Sequence, residues 1–300
     1  MTKQQNEIYN WLLSKPGYLK KSALFIQKNY FKTTSLKDIT EALDETKYDY
    51  KLQNAELEEE KVVMPKFVHS KAKNRTYNKD NVLIIADTHF PFEKKGYLEH
   101  CLNIRDKYNC GTIVHIGDEV DLCGISQWEK DPDGFSAGTE ASLAQEKMKI
   151  WYKAFPEVKV CIGNHTARPF RLARANGMPK KFIKTYEDAW EAPKGWKWAE
   201  HWEIDGVLYT HGTGFSGANA AIRIATRHRQ NTVVGHIHSE AGVQYSASKI
   251  DLIWGLQVGG ALDDSSYAAY YAKDQLKKSI VGCGVVLDKG KLPLFEPMIL

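Results

Sequence analysis

Cysteine is scarce and unpatterned in this chain of 300 residues: Cys101, Cys110, Cys123, Cys161 and Cys283 are odd in number and contain no C-x-x-C pair. That argues against a disulfide framework and fits a reducing compartment, so the cytoplasm is the expected location. Long hydrophobic runs are missing too. No apolar stretch approaches the roughly 20 residues that a membrane span needs, and the polar start Met1-Thr2-Lys3-Gln4-Gln5-Asn6 lacks the apolar centre of a signal peptide. A membrane partner is therefore not expected. Internal repeats and low-complexity tracts are absent. The 43% hydrophobic content is enough for one sizeable core and a small satellite domain.

Net charge is absent from most of the chain as well. Residues 81–300 hold 26 basic and 26 acidic side chains, whereas residues 1–80 hold 15 and 11, so the whole formal excess of +4 sits at the N-terminus. Within it, Lys15 to Lys37 contains six lysines and no acid. Apolar residues at Ile8, Trp11 and Leu12, at Leu24 and Phe25, and at Leu36, Ile39 and Leu43 predict three short helices, with Pro16-Gly17 breaking the first pair. Ser35 and Asp38 give the third a capping-box-like start. Residues 1–64 resemble, weakly, a helix-turn-helix or winged-helix unit. Lys20, Lys21, Lys28, Lys32 and Lys37 would then contact DNA phosphates. The other reading is a small bundle with a solvated basic face that docks to protein. The acidic stretch from Leu52 to Lys61 closes the third helix or a fourth. Residues 65–80, polar and with Pro65, read as a linker.

Beyond it lie short β-branched runs, each closed by a glycine or a ligand-type residue: 82–86 before Asp87, 112–116 before Gly117, 158–162 before Gly163, 207–210 before His211 and 232–234 before Gly235. Such runs read as buried strands. The polar clusters Asp87-x-His89, Gly117-Asp118-x-x-Asp121, Gly163-Asn164-His165, His211-Gly212 and Gly235-His236-x-His238 thus collect at strand ends, where α/β sheets bind ligands. The glycines would let the backbone turn sharply and approach a bound ion. A pair of divalent ions about 3.5–4 Å apart needs a bridging carboxylate with imidazole and oxygen donors around it. This mixed set suits manganese, ranked first, or iron, zinc or nickel, better than calcium or magnesium.

These five blocks, in this order, resemble the calcineurin-like metallophosphoesterases over roughly residues 81–300. The resemblance implies two mixed β-sheets packed as a sandwich with flanking helices, an α/β fold. It implies that Asp87, His89 and His238 hold one metal ion, that Asn164, His211 and His236 hold a second, and that Asp118 bridges them. It further implies that hydroxide held between the ions attacks phosphorus while His165, oriented by Asp121, protonates the leaving oxygen. Two departures narrow the substrate. Thr166 stands where many relatives carry an acid, and Leu122-Cys123 stands where phosphoprotein phosphatases carry an arginine, so a protein serine/threonine phosphatase is disfavoured. Of the remaining histidines, His69, His100, His201 and His228 read as surface residues, and His115 as packed within its strand.

Between the third and fourth blocks, Arg168, Arg171 and Arg174 recur at helical spacing and are candidates to clamp a phosphodiester backbone. Lys180, Lys181 and Lys184 follow. Trp190, Trp196, Trp198 and Trp202 read as packing rather than as a base-stacking surface. The glycine-rich turn 212–217, with Gly214 at its centre, leads into a helix-like run over 218–230 and offers amides to a phosphate; it lacks the lysine of a nucleotide-triphosphate loop. Arg223, Arg227 and Arg229 on that run face either substrate or solvent. The expectation is a two-metal phosphodiesterase acting on nucleic acid, most simply a DNA nuclease. The alternatives are a small-molecule phosphatase or cyclic-nucleotide phosphodiesterase with a docking N-terminal module, and a DNA-binding regulator whose metal domain is inactive.

Overall fold

The computed structural model describes residues 2–13, 22–44, 46, 76–127, 134–266 and 277–299. Lys20, Lys21, His69, the acidic stretch 52–61 and linker residues 65–75 lie outside the described residues. The chain divides into two compact units, residues 1–73 and 74–300.

The first unit contains α1 (Lys3–Leu13), α2 (Ala23–Asn29) and a third helical run, α3, over 36–44. Ser22 caps α2 by accepting the Phe25 amide at 3.2 Å, and Ser35 caps α3 by accepting that of Asp38 at 3.1 Å. Ile8 and Leu12 on α1, Ile26 on α2, and Ile39, Ala42 and Leu43 on α3 form one buried cluster; on α1 and α3 the three- or four-residue spacing makes one helical face. On α2 the sequence pattern predicts Leu24 and Phe25 as the buried residues. Leu24 and Phe25 are 48% and 39% exposed, and Ile26 is the residue that turns inward.

The second unit is built on two mixed sheets. The first has the order β11-β10-β1-β2-β3-β4, where β1 (Asn78–Ile85), β2 (Cys110–His115), β3 (Val158–Cys161) and β4 (Trp196–Ala199) run parallel. β10 (Gly282–Leu287) joins the β1 edge antiparallel, and β11 (Leu292–Pro297) pairs antiparallel with β10. The second has the order β5-β6-β7-β9-β8. There β6 (Val207–Thr210), β7 (Thr232–Val234) and β9 (Leu252–Val258) are parallel, flanked by antiparallel β5 (His201–Ile204) and β8 (Ala241–Ala247). Two expectations change. β1 begins inside the stretch read as linker, because Asn78 pairs with Cys110 at the start of β2. The C-terminal stretch 255–288, whose apolar runs predict strands that complete the second sheet, divides instead: β9 lies in the second sheet, while the run 281–287 pairs with β1 in the first.

Contacts between the sheets are close. The Cys161 thiol donates to the Tyr209 carbonyl at 3.4 Å, and a Cβ at Gly284 of β10 would stand 2.7 Å from Val258 of β9. Five α-helices, α4 (Tyr97–Tyr108), α5 (Ala137–Ala154), α6 (Arg168–Ala175), α7 (Tyr186–Ala189) and α8 (Ala220–His228), belong to this unit among the described residues. α8 lies so close on β9 that a Cβ at Gly255 would meet the Ile222 amide nitrogen at 2.4 Å. The long α5 turns Ala144, Met148 and Trp151 inward, at a four- then three-residue spacing. Trp151 reaches Phe90 and Tyr97 at ring distances of 5.5 and 5.9 Å. No helix among the described residues is long and apolar enough to cross a membrane.

Register places the site. Ile85 pairs with His115 and Thr210 with Val234, so Asp87 and Gly117 leave their sheet at one level and His211 and Gly235 leave theirs together. The loops after five parallel strands of two sheets meet at one place.

Candidate metal centre

Asp87, His89 and His238 offer donor atoms within 4.8 Å of one another; so do Asp118, His211 and His236, and a third group, His89, Asp118 and His165, links the two. Asn164 joins the second group through its Oδ1, 3.0 Å from His211 Nε2. All seven residues assigned to metal by the sequence reading are thus gathered in one cluster.

Hydrogen bonds orient the imidazoles. His89 Nδ1 lies 2.9 Å from Asp121 Oδ2. A carboxylate only accepts, so the ring carries its proton on Nδ1 and aims the Nε2 lone pair into the cluster. There it faces His238 Nε2 at 3.2 Å, which also lies 3.2 Å from Asp87 Oδ2. His211 Nδ1 meets the Ile116 carbonyl at 3.2 Å, and its Nε2 stands 3.0 Å from Asp118 Oδ2. Asp87 is fully buried; its Oδ2 accepts the His236 amide at 2.7 Å, while its Oδ1 has no hydrogen-bond partner. An orphaned buried carboxylate oxygen is costly unless a cation meets it.

Charge points the same way. Burial alone would raise the Asp87 and Asp118 carboxyls, but His211, with His238 at Asp87 and His165 at Asp118, holds both below the usual carboxylate range. Asp121 is likewise held low: burial opposes, and His165 and His89 outweigh it. Burial pushes His89 and His236 down, toward the neutral form that ligates metals. His211 goes up to about 9, since Asp118 and Asp87 overcome its burial. The carboxylates thus favour a positive charge at His211, and a divalent ion held there would take the place of that proton. The residues fit divalent metal.

The glycines make room for the side chains of the candidate ligands rather than for a bound ion. A Cβ at Gly163 would stand 2.0 Å from Asp118 Oδ1, one at Gly235 2.3 Å from Asp87 Oδ1, and one at Gly117 2.6 Å from His211 Nδ1. Gly260, outside every motif, clears His238 in the same way at 2.7 Å. Three of the proposed ligands, His89, Asp118 and His236, adopt left-handed backbone with φ of 50°, 47° and 67°, a strain that functional sites tolerate.

Asp121 departs from its expected role. Its carboxylate binds His89, and its Oδ1 is 3.7 Å from His165 Nδ1, which meets the Asp121 main-chain carbonyl at 2.9 Å instead. Arg168 turns inward as well: Nη1 donates to the same carbonyl at 2.6 Å, and Nη2 lies 3.1 Å from His165 Nε2. Asp118 Oδ1 accepts the His165 amide at 2.7 Å. Burial lowers the His165 imidazole, yet Asp118 and Asp121 leave it above its ordinary value.

Other expectations divide. Arg171 lines a cleft of about 290 Å³ with Arg168, Asn164, Ser126 and Gln127; Arg174 is exposed and lines neither this cleft nor the one beside the metal cluster. The second cleft, about 330 Å³, is lined by Phe215, Ser216 and Gly217 rather than by Gly214, which is exposed with φ 90°. Lys28 and Lys32 are exposed, and Lys37 lies 3.9 Å from Glu41. Arg223 and Arg227 stack over Phe215 at 5.8 and 5.4 Å, and Arg229 pairs with Asp251. The tryptophans are packed: the indoles of Trp196, Trp198 and Trp202 donate to Phe155, Glu119 and Val160. His115 is buried, with partners for both nitrogens.

Three residues of this region lie outside the sequence reading. Buried Glu119, pushed up to about 7 by burial, accepts from Thr166 at 2.6 Å and Trp198 at 2.9 Å, which gives Thr166 a supporting contact. Its only signal was its place beside Asp118. Lys277 and Lys278 line the second cleft, and no motif marks them.

Two mixed sheets whose strand-end loops converge on a buried imidazole and carboxylate cluster make an α/β fold with a candidate metal site, the arrangement expected from the resemblance to metallophosphoesterases. No family model matches the sequence, and no curated protein does. Among solved structures, the chain is similar to a single-mutant Vps29 from Entamoeba histolytica: 13% identity, TM-score 0.34, over 73% of this chain and 99% of that one. It is similar to Vacuolar Protein Sorting 29 from Cryptosporidium parvum at 14% identity and TM-score 0.36, over 73% and 97%. It is also similar to the nuclease MPE of Pseudomonas putida at 13% identity and TM-score 0.31, over 73% and 88%.

Proposed function

We propose that this protein is a metal-dependent phosphodiesterase acting on nucleic acid, with DNA as its substrate. The observation that carries the reading is the convergence of seven nitrogen and oxygen donors beside Arg168 and Arg171, a cation-rich entry that suits a phosphodiester backbone. Asp87, His89 and His238 would hold one divalent ion and Asn164, His211 and His236 another, with Asp118 between them; manganese is the ion proposed. Such ions, when bound, polarise the phosphoryl group and make water a competent nucleophile near neutral pH.

The rest is the work of side chains. Hydrolysis puts a water oxygen on phosphorus and breaks the bond to the leaving oxygen, which needs a proton. His165 supplies it. Its Nδ1 is anchored on the Asp121 carbonyl, and its Nε2 accepts from Arg168 in the resting arrangement. A protonated Nε2 has nothing to accept with, so protonation releases the guanidinium toward a phosphoryl oxygen, where a fork of donors is best matched. Asp121 steadies His89 through its carboxylate and His165 through its main chain. Lys28, Lys32 and Lys37 of the first unit would add phosphate contacts.

The test is cleavage of labelled single- and double-stranded DNA in manganese, alongside a generic phosphodiester, with Asp118→Asn as control. Cleavage that vanishes in the variant supports the reading. Hydrolysis of the generic diester alone removes DNA as substrate and favours a small-molecule phosphodiesterase.

A further inference from the structure

The loop after β2 grips the loop after β3 with two consecutive acids. Asp118 Oδ1 accepts the His165 amide at 2.7 Å and the Thr166 amide at 3.4 Å, and Glu119 Oε2 accepts the Thr166 hydroxyl at 2.6 Å. The other Glu119 oxygen accepts the Trp198 indole at 2.9 Å. The loop after β1 is tied in through the main chain, because the Glu119 carbonyl accepts the Phe90 amide at 2.8 Å and the Thr88 hydroxyl at 3.0 Å. Glu119 is fully buried, and its carboxylate bonds Thr166 and Trp198 rather than any donor of the metal cluster. Trp198 is a fixed post for it, in ring contact with Trp196 at 5.9 Å and Tyr186 at 6.4 Å.

We infer that Glu119 is a positioning residue, which holds the turn 163–168 so that the His165 imidazole stands where a leaving oxygen needs its proton. This rests on the phosphodiesterase reading above. His165 has two other anchors, and each leaves a gap. The Asp121 carbonyl, 2.9 Å from Nδ1, fixes the ring but not the main chain that carries it. Asp118 fixes that main chain, but the same carboxylate lies 3.0 Å from His211 Nε2 and would be shared with bound ions, so its hold on the two amides competes with metal. Glu119 supplies a tie for which metal does not compete. Arg168 is held separately, by its own bond to the Asp121 carbonyl at 2.6 Å. Proton donation contributes about 10²- to 10⁴-fold and is lost when the donor is misplaced by about 1 Å. It matters only where the leaving oxygen departs poorly without a proton.

The experiment uses the full chain with manganese on two substrates. A thymidine dinucleotide releases a nucleoside alkoxide, which needs the proton; bis(p-nitrophenyl) phosphate releases a stable anion, which does not. An indole N–H only donates, whereas a threonine hydroxyl both donates and accepts, so Glu119→Gln can accept from Trp198 and donate to Thr166. It should keep the parental kcat on both substrates. Glu119→Leu and Thr166→Val cut the tie to Thr166 and should lower kcat on the dinucleotide about 100-fold while the nitrophenyl ester loses far less, the pattern also expected of His165→Ala. Thr166→Val leaves the carboxylate on Trp198 and so tests the tie in a chain close to the parent. In chelator, amide hydrogen exchange followed by NMR should quicken about tenfold at His165 and Thr166 in both variants, with the His236 amide on Asp87 unchanged. Parental exchange at the turn, an equal loss on both substrates in Thr166→Val, or failure of Glu119→Gln to restore the rate overturns the inference. A parental protein that hydrolyses neither substrate overturns instead the phosphodiesterase reading beneath it, and the exchange rates still decide whether Glu119 holds the turn.

Discussion

The Asp121 carboxylate lies 2.9 Å from His89 Nδ1, on the far side of the ring from the Nε2 that faces the metal cluster. It therefore sets the tautomer of a ligand, and outer partners of this kind typically change metal affinity about 10- to 100-fold when removed. Asp121→Ala should weaken manganese binding by that factor in calorimetric titration of chelator-stripped protein. Wild-type affinity with slower turnover would return the carboxylate to the task of orienting His165.

Gly235 and Gly163 give a second prediction. With a Cβ, each would press on a fully or nearly buried carboxylate, Asp87 and Asp118, at 2.3 and 2.0 Å. Backbone anchors both side chains: the His236 amide binds Asp87, and the His165 amide binds Asp118. Neither can retreat cheaply. Gly235→Ala and Gly163→Ala should each cost about 1–3 kcal/mol in urea denaturation without metal and weaken manganese binding. Gly138→Ala, at a helical position with nothing within 4 Å, should be neutral or stabilise by up to about 1 kcal/mol. Unchanged midpoints for the first two would refute the packing argument.

Why the sequence marked the residues that cluster, and the sheet order less well, has a physical reason. Parallel strands buried on both faces read as continuous β-branched runs, so 82–85, 112–115 and 158–161 were visible, and the candidate ligands stand where each run stops. Pairing is non-local. Nothing within 281–287 says that its partner is β1 rather than β9, because both neighbours are apolar. The same limit hid Lys277, Lys278 and Gly260, which reach the site by tertiary approach and not by spacing. On α2 the periodicity is too short to choose between Phe25 and Ile26. Arg174 and Gly214 fit a pattern, but their exposed positions lie outside the two clefts.

His115 gives a pH prediction. Thr88 donates its hydroxyl proton to the Glu119 carbonyl at 3.0 Å, so it accepts from His115 Nε2, and His115 Nδ1 accepts the Gly117 amide. Burial pushes this imidazole from 6.5 down to about 3, even with Asp87 and Asp118 opposing. A depressed folded value means that the unfolded chain takes up the proton first. The contribution to stability is present in full above pH 6.5 and is lost as pH falls toward about 3. His115→Gln should therefore flatten the acid limb of the stability curve by up to about one proton, measured by urea denaturation at successive pH values in chelator. Superimposable limbs would mean that His115 does not titrate in this window.

The last prediction separates the two readings of the first unit. Lys28, Lys32 and Lys37 are exposed, and the Lys37–Glu41 pair at 3.9 Å, with the lysine side chain 84% exposed, is too weak to withhold that charge from a phosphate. Yet Leu24, Phe25 and Leu36 on the same unit are 48%, 39% and 43% exposed, which is what a protein-docking face would offer. Salt decides between them, because each lysine on a duplex phosphate releases condensed counterions and adds about 0.9 to the slope of log K against log salt. Fluorescence anisotropy on a DNA duplex across a salt series should give a slope that drops by about that amount for each lysine changed to alanine. If the triple variant kept the parental slope, the lysines would make no phosphate contacts, and the apolar face would become the part of this unit that engages a partner.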